Sequence, residues 1–194
     1  MIGSLYPVIS PVPESVRRLM GRERTRALSR FARDCAAWSA RKAGLLIPGF
    51  EKDAQGVPLS SGGVFWSVSH KKEMAAGVVC THPTGIDIEQ VRPVSQSVFE
   101  RIVSPGEAGL FSTKDQDQVF FRVFTAKEAV LKVLGVGLKG LSGVTVTRAD
   151  ESNQVCLTSR GDEFRVEHYS FDGYIASIVS NGVEVKWSFQ NITI

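Results

Sequence analysis

The segment Gly85-Ile86-Asp87-Ile88-Glu89 alternates apolar and acidic residues, and it restricts the local fold more than any other feature of the chain. Side chains on a β-strand point to opposite faces with period two, so Ile86 and Ile88 share one face and Asp87 and Glu89 the other. Two carboxylates this close repel each other unless a positive charge separates them. A hard cation such as Mg2+ suits these oxygen ligands. The alternative is an amphipathic strand with an acidic outer face.

A second informative segment is a run of apolar residues at helical spacing, which predicts a helix over residues 116–134. Glu128 and Lys132 lie four positions apart at the edge of its apolar arc, so a third carboxylate and an ammonium group stand together. Two carboxylates on a strand, with this pair nearby, suit the transfer of a phosphate-linked group. The alternative is an ordinary helix ion pair worth about 0.3 kcal/mol. The arc is formed by Val119, Phe120, Val123, Phe124, Val130, Leu131 and Leu134.

Lys127 falls inside this apolar arc, where a charged side chain is unexpected. A lysine there must extend its amine to solvent or find a carboxylate partner. If the helix packs over the acidic strand, Asp87 or Glu89 is the expected partner.

The whole-chain properties exclude several classes of protein. The net charge of +3 over 194 residues is too small to argue for general nucleic-acid binding. Three cysteines without metal-ligand spacing indicate reduced thiols and a cytoplasmic setting. The start of the chain does not resemble a signal peptide, and no apolar run approaches the length of a membrane span.

The pattern of apolar residues predicts an α+β fold. A long helix near 14–46 precedes three strands, and two short helices and the long helix 116–134 precede five more strands. A glycine-rich loop, 135–140, follows the long helix. The strands are expected near 64–69, 75–80, 84–91, 144–147, 154–158, 164–169, 174–179 and 183–189, and the short helices near 94–102 and 105–111.

A faint internal repeat with an offset of one hundred residues bears on domain organisation. Each copy is a strand, a turn and a second strand, followed by a third strand at 85–89 or 182–186. If the repeat is not chance, the chain forms two similar lobes, 1–92 and 93–194, each a helix on a small antiparallel sheet. A cleft between such lobes is a usual ligand site. The matched residues are Val64, Trp66, Ala76 and Val79 with Phe164, Val166, Ala176 and Val179.

Four motifs in a fixed order resemble those of one enzyme family. They are Gly21-Arg22 with Arg26, Trp66 to His70, Gly85 to Glu89, and Phe124 to Lys132. Together they resemble the 4'-phosphopantetheinyl transferases of the larger, pseudo-dimeric type, over about residues 21–138. That type activates nonribosomal peptide synthetases, siderophore synthetases and other carrier proteins.

The chain departs from this family pattern at two positions. Phe124 stands where many relatives have tryptophan, and Val57 where some relatives have a lysine near the phosphates of coenzyme A. We expect the missing contact to come from elsewhere, with Lys52 as the candidate.

The resemblance implies a reaction and its metal site. Asp87, Glu89 and Glu128 would hold Mg2+, with Mn2+ as the alternative, and Lys132 would stabilise the charge on the leaving phosphate or protonate it. A carrier-protein serine would take the phosphopantetheine arm of coenzyme A, releasing adenosine 3',5'-bisphosphate. Either Glu128 or a metal-bound water would accept the serine proton. The resemblance also implies a monomer.

The resemblance also implies contacts to coenzyme A from several basic and polar side chains. Arg22 and Arg26, four apart on a helix, would grip the 3'-phosphate, and Ser69 and His70 would contact phosphate. The alternative for Arg22 and Arg26 is a solvated basic face, and the alternative for His70 is a histidine hydrogen-bonded to the backbone. Lys127 would bind coenzyme A or orient the metal carboxylates.

Glu107 lies in Ser104-Pro105-Gly106-Glu107, which resembles a family segment leading into the second lobe. A glutamate that caps the start of a helix explains this residue equally well.

Partner binding and rival functions complete the sequence-based expectations. The stretch after Pro93 is the expected carrier-docking surface, with ordinary core packing as the alternative. The rival functions are a metal-dependent nuclease and a non-catalytic protein that binds coenzyme A or a carrier. The apolar residues of the stretch are Val94, Val98, Phe99, Ile102 and Val103.

Overall fold

The computed structural model describes residues 3–113, 115–150 and 153–190, which form two β-sheets and the helices that cover them. The mixed α+β class expected from the sequence is confirmed. The helices are α1 Glu14–Arg17, α2 Gly21–Ala43, α3 Gln96–Ile102, α4 Pro105–Ala108, α5 Gln116–Leu134 and a 3-10 helix at Leu138–Gly143. The strands are β1 Val8–Pro11, β2 Phe65–His70, β3 Met74–Cys80, β4 Ile86–Gln90, β5 Thr145–Ala149, β6 Gln154–Ser159, β7 Asp162–Phe171, β8 Tyr174–Val179 and β9 Ser188–Phe189.

The first sheet has the strand order β2-β3-β1-β9 and is covered by α2. Its β1–β9 pairing is parallel, so this sheet is mixed, whereas the sequence predicted an antiparallel one. The helix expected near 14–46 is divided, because Gly21 has a φ of 52° and begins a new helix after α1. Gly77 brings α2 close to β3, since an added Cβ would lie 2.4 Å from the Ala36 nitrogen.

The second sheet has the order β4-β8-β7-β6-β5, is antiparallel throughout, and packs against α5. Its strand β4 was expected as a third strand after β2 and β3 in the sheet of the first lobe, but it lies in this second sheet. β3 has β2 and β1 on its two edges, and β4 pairs with β8. The segment expected as a strand near 183–189 is regular only at Ser188–Phe189.

The two hairpins that suggested an internal repeat have matching registers. Trp66 pairs with Val79 in the first hairpin, and Val166 with Val179 in the second. The same offset of one hundred holds at the other end, where Ser69 pairs with Ala76 and Tyr169 with Ala176. The division into lobes 1–92 and 93–194 stays a prediction.

In the described part of the chain, every helix is too short or too polar to cross a lipid bilayer.

Candidate active site

Gly85 allows α5 to cross the start of β4 at very short range. A Cβ added at this position would lie 1.9 Å from the Ala129 carbonyl oxygen and 3.1 Å from Lys132 Cβ. Any side chain would therefore push the helix away. The close approach lets Lys132 Nζ donate to the Ile86 carbonyl oxygen at 2.7 Å and to the Val68 carbonyl oxygen at 3.3 Å.

Asp87 is buried between β2 and α5, and its two oxygens have different surroundings. Oδ1 accepts from Ser69 Oγ at 2.7 Å and from Lys132 Nζ at 2.9 Å. Oδ2 is buried and has no hydrogen-bond partner within the described residues. A buried carboxylate oxygen without a partner carries a free-energy cost that a bound cation would remove.

Glu89 points the same way as Asp87, as the alternation predicted, and forms an ion pair with Lys71. Burial raises the pKa of Glu89, and the nearby Asp87 raises it further, while Lys71 opposes the shift. Sequence reasoning missed Lys71, which lies just after the Ser69-His70 motif.

Glu128 reaches the same cluster from α5. Its Oε1 is buried, and no group in the described ranges is hydrogen-bonded to it. Burial raises the pKa of Glu128, Asp87 and Glu89 raise it further, and Lys132 and Lys71 oppose the shift. The three carboxylates are therefore close enough to influence one another electrostatically.

The described residues contain no group of three or more His, Cys, Asp or Glu side chains arranged as a metal site. In this structure ammonium groups neutralise the carboxylates, Lys132 at Asp87 and Lys71 at Glu89. The donor set nevertheless suits Mg2+, because its ligands would be hard carboxylate oxygens and two of them are buried without partners. The metal stays a prediction.

Lys127 does find a carboxylate, but neither of those expected. Its Nζ lies 2.8 Å from Glu107 Oε1 and donates to the Ile102 carbonyl oxygen at 2.9 Å. The expected pairing with Asp87 or Glu89 was therefore wrong, because Lys127 points towards α3 and α4 instead of β4.

Basic side chains gather around His70, on the side of the site towards α2. Burial lowers the pKa of His70, and Lys132, Lys71 and Lys52 lower it further. Lys52 lies over the ring of Trp66, with Nζ 5.8 Å from its centroid. Burial also lowers the pKa of Lys52, followed by the charges of Arg33 and Lys132. This accumulation of positive charge suits an anion.

Arg33 was not singled out from the sequence, although a signal was present. It follows Arg26 by seven positions, which is two helical turns, so the two lie on one face of α2. Arg22 and Arg26 themselves are exposed in the first two turns of that helix.

A cavity of about 550 Å³ opens beside Glu128 and Lys132. One wall is the loop that contains Val57, and the other is the end of α5 with the glycine-rich segment after it. Gly135, with a φ of 65°, ends α5 and turns the chain along this wall. The volume suits a ligand of nucleotide size.

A second cavity of about 440 Å³ lies beyond Glu89 and Lys71. Val98 is 42% exposed at this cavity, whereas Val103, from the same predicted docking stretch, is buried in the core. The apolar lining consists of Pro93, Val94, Val98, Ile102, Phe120, Phe121 and Phe124.

Carboxylates that suit a divalent cation, with ammonium groups beside them, can stabilise the negative charge of a phosphate-linked ligand. Residues 83–179 match the family model of the 4'-phosphopantetheinyl transferase superfamily. The match spans β4 to β8 and therefore includes Asp87, Glu89, Glu128 and Lys132. The chain belongs to this superfamily.

Similar proteins in several bacteria are named 4'-phosphopantetheinyl transferases. The chain is 33% identical over 131 residues to the 4'-phosphopantetheinyl transferase psf-1 of Bacillus pumilus, covering 63% of this chain and 56% of the relative. It is 32% identical over 108 residues to HetI of a Nostoc species, covering 50% and 46%. It is 30% identical over 76 residues to Sfp of Bacillus subtilis, covering 38% and 34%. The chain thus spans about half the length of the first two relatives.

Proposed function

We propose that this protein transfers the 4'-phosphopantetheine arm of coenzyme A to a serine of an acyl- or peptidyl-carrier protein, releasing adenosine 3',5'-bisphosphate. The observation that carries the proposal is the convergence of Asp87, Glu89 and Glu128 beside Lys132 in a member of this superfamily. The names of the relatives support it.

The proposed architecture is a pseudo-dimer of two lobes, with the site between them. The matching registers of the two hairpins support it, as does the packing of α2 and α5 on equivalent hairpins. We propose a monomer in the cytoplasm.

Mg2+, or Mn2+ in its place, would be held by Asp87, Glu89 and Glu128. The partnerless oxygens of Asp87 and Glu128 support this ligand set. When bound, the cation would supply positive charge to the pyrophosphate of coenzyme A.

The chain's own residues account for the charge and proton movements of the transfer. The serine oxygen bonds to the phosphorus that bears the pantetheine arm, and the bond from that phosphorus to the adenosine bisphosphate breaks. Lys132 neutralises the negative charge that grows on the leaving group. Glu128, which lies one helical turn before Lys132 on α5, accepts the serine proton.

The nucleotide part of coenzyme A is proposed to occupy the cavity beside Lys132, with its phosphates towards the basic side chains. Ser69 and His70 contact phosphate, and Lys52 replaces the lysine that some relatives have at the position of Val57. The positive charge shared by Lys52, Arg33 and Lys132 supports this orientation.

Two further contacts belong to the proposal. Arg22 and Arg26 grip the 3'-phosphate from the start of α2. The carrier protein docks at the second cavity, where exposed Val98 stands next to the Glu89 side of the site.

The test is incubation with coenzyme A, Mg2+ and a panel of apo carrier proteins, followed by intact-mass measurement. The proposal requires that at least one carrier gains one phosphopantetheine with the wild-type protein and none with Asp87→Ala. Coenzyme A binding without transfer to any carrier would favour a binding protein. Cleavage of plasmid DNA with Mg2+ would favour a nuclease.

A further inference from the structure

Glu107 and Lys127 form an ion pair inside the protein, away from the three carboxylates. Their side chains are only 4% and 6% exposed, and Lys127 Nζ lies 2.8 Å from Glu107 Oε1. A buried pair of this kind is a poor source of stability, because desolvation offsets most of the attraction. Its position in the fold therefore calls for another explanation.

Both carboxylate oxygens of Glu107 accept hydrogen bonds, from groups of three different elements. Oε2 accepts from the Ser104 backbone nitrogen and from Ser104 Oγ, each at 2.9 Å, which completes the capping box of α4. Oε1 accepts from the Val146 nitrogen of β5 at 2.9 Å as well as from Lys127. The helix-capping explanation of Glu107 is therefore correct but incomplete.

Lys127 extends the same network to a fourth element. Its Nζ donates to the carbonyl oxygen of Ile102 at the end of α3. The ends of α3, α4 and β5 are thus attached to α5 through a single side chain.

Lys127 directly precedes Glu128, and neighbouring helix positions point about 100° apart. The rotation of α5 about its axis that brings Lys127 into contact with Glu107 therefore also directs Glu128 towards Asp87. One turn further along, Lys132 holds the helix to β4 through the Ile86 carbonyl oxygen. These two attachments together set the rotation of α5 about its axis.

We propose that Glu107 and Lys127 are positioning residues, which hold α5 in the rotation that directs Glu128 to the reacting groups. This inference rests on the proposed transfer function. It separates Lys127 from the coenzyme A contacts and assigns it to Glu128 instead.

The test compares Glu107→Gln, Lys127→Met and the double variant. Each single change leaves one buried group without its charged partner, so the unfolding temperature should fall. The double variant removes both charges and should recover most of that loss. Because the pair no longer sets the rotation of α5, kcat should stay at least tenfold below wild type in all three, while KM for coenzyme A changes less than about threefold.

Ser104→Ala is the matched control. It removes a hydrogen bond to the same carboxylate and weakens the cap of α4, but it leaves the ion pair intact. Its unfolding temperature should fall while kcat stays within about twofold of wild type. A purely structural role is shown, and the proposal overturned, if kcat recovers together with stability in the double variant or falls equally in Ser104→Ala.

A second readout does not depend on transfer. With coenzyme A present, the affinity for Mn2+ should fall at least fivefold in the two single variants and the double variant, but not in Ser104→Ala. Unchanged Mn2+ affinity in the three variants would overturn the positioning role. If the wild-type protein binds Mn2+ and coenzyme A but modifies no carrier, the proposed function fails and this comparison still decides the role of the pair.

Discussion

Gly85→Ala tests whether the close approach of α5 to β4 builds the site. The new Cβ would lie 1.9 Å from a backbone oxygen, whereas ordinary contacts begin near 3.4 Å, so the helix must move by roughly 1–1.5 Å. Displacing packed groups costs about 1–3 kcal/mol. For a chain of this length we expect the unfolding temperature to fall by roughly 2–12 °C.

The same displacement moves Glu128 and Lys132 away from Asp87, so turnover should suffer more than stability. A misplacement of about 1 Å in a catalytic site costs on the order of a hundredfold in rate. The measurements are calorimetric unfolding and carrier-transfer kinetics well below both unfolding temperatures.

Gly143→Ala is the control, because an added Cβ there meets nothing within 4 Å. It should leave both quantities near wild type. If Gly85→Ala unfolds within 1 °C of wild type and keeps kcat within twofold, the argument from close packing is refuted.

Three further predictions concern ligands and pH. Asp87→Ala should abolish carrier modification without loss of fold, measured by intact mass and circular dichroism; a near-wild-type rate would remove Asp87 from the site. Arg22→Ala and Arg26→Ala should each weaken coenzyme A binding by about 1–3 kcal/mol in calorimetry, and much less with 3'-dephospho-coenzyme A; equal losses with both ligands would contradict the 3'-phosphate contact. Burial lowers the pKa of His168 to about 3. Between about pH 6.5 and pH 3, this histidine is therefore protonated in the unfolded chain and neutral in the folded protein. The free energy of unfolding should therefore fall with decreasing pH, by up to about 1.4 kcal/mol per unit from this group, and His168→Gln should flatten the slope; an unchanged slope would show that His168 does not contribute.

The sequence predicted helices and strands well where the apolar residues followed a clear helical or strand spacing. The bounds of α5 agree with the expected 116–134, because a capping Asp115 and a left-handed Gly135 frame an apolar arc. Strand β1 was missed, because four residues ending in Pro11 carry too little pattern to be told from a loop. Pairing between distant strands was also inaccessible, since β8, the partner of β4, lies far later in the chain and no local pattern links the two strands.

For the candidate site, too, the sequence predicted features set by neighbouring residues but not contacts between residues distant in the chain. The alternation in β4 correctly placed Asp87 and Glu89 on one face, and the position of Lys127 correctly indicated that it needs an acid. Neither pattern could identify that acid as Glu107, twenty positions earlier on another helix, because nothing local links the two. The basic group at Lys52 likewise depends on how a loop folds over Trp66.

The pairing of β4 with β8 has a consequence for how the candidate site is assembled during synthesis. The strand that carries Asp87 is aligned by residues made much later, and the bond from Thr84 Oγ1 to the Val179 carbonyl oxygen already spans 95 positions. Contacts this distant in sequence form slowly and only after the later segment has left the ribosome. A nascent or prematurely terminated chain that ends before β8 would contain every acidic residue of the site and yet lack the strand that aligns two of them. Incomplete chains are therefore expected to be inactive even when strands β1 to β3 have paired.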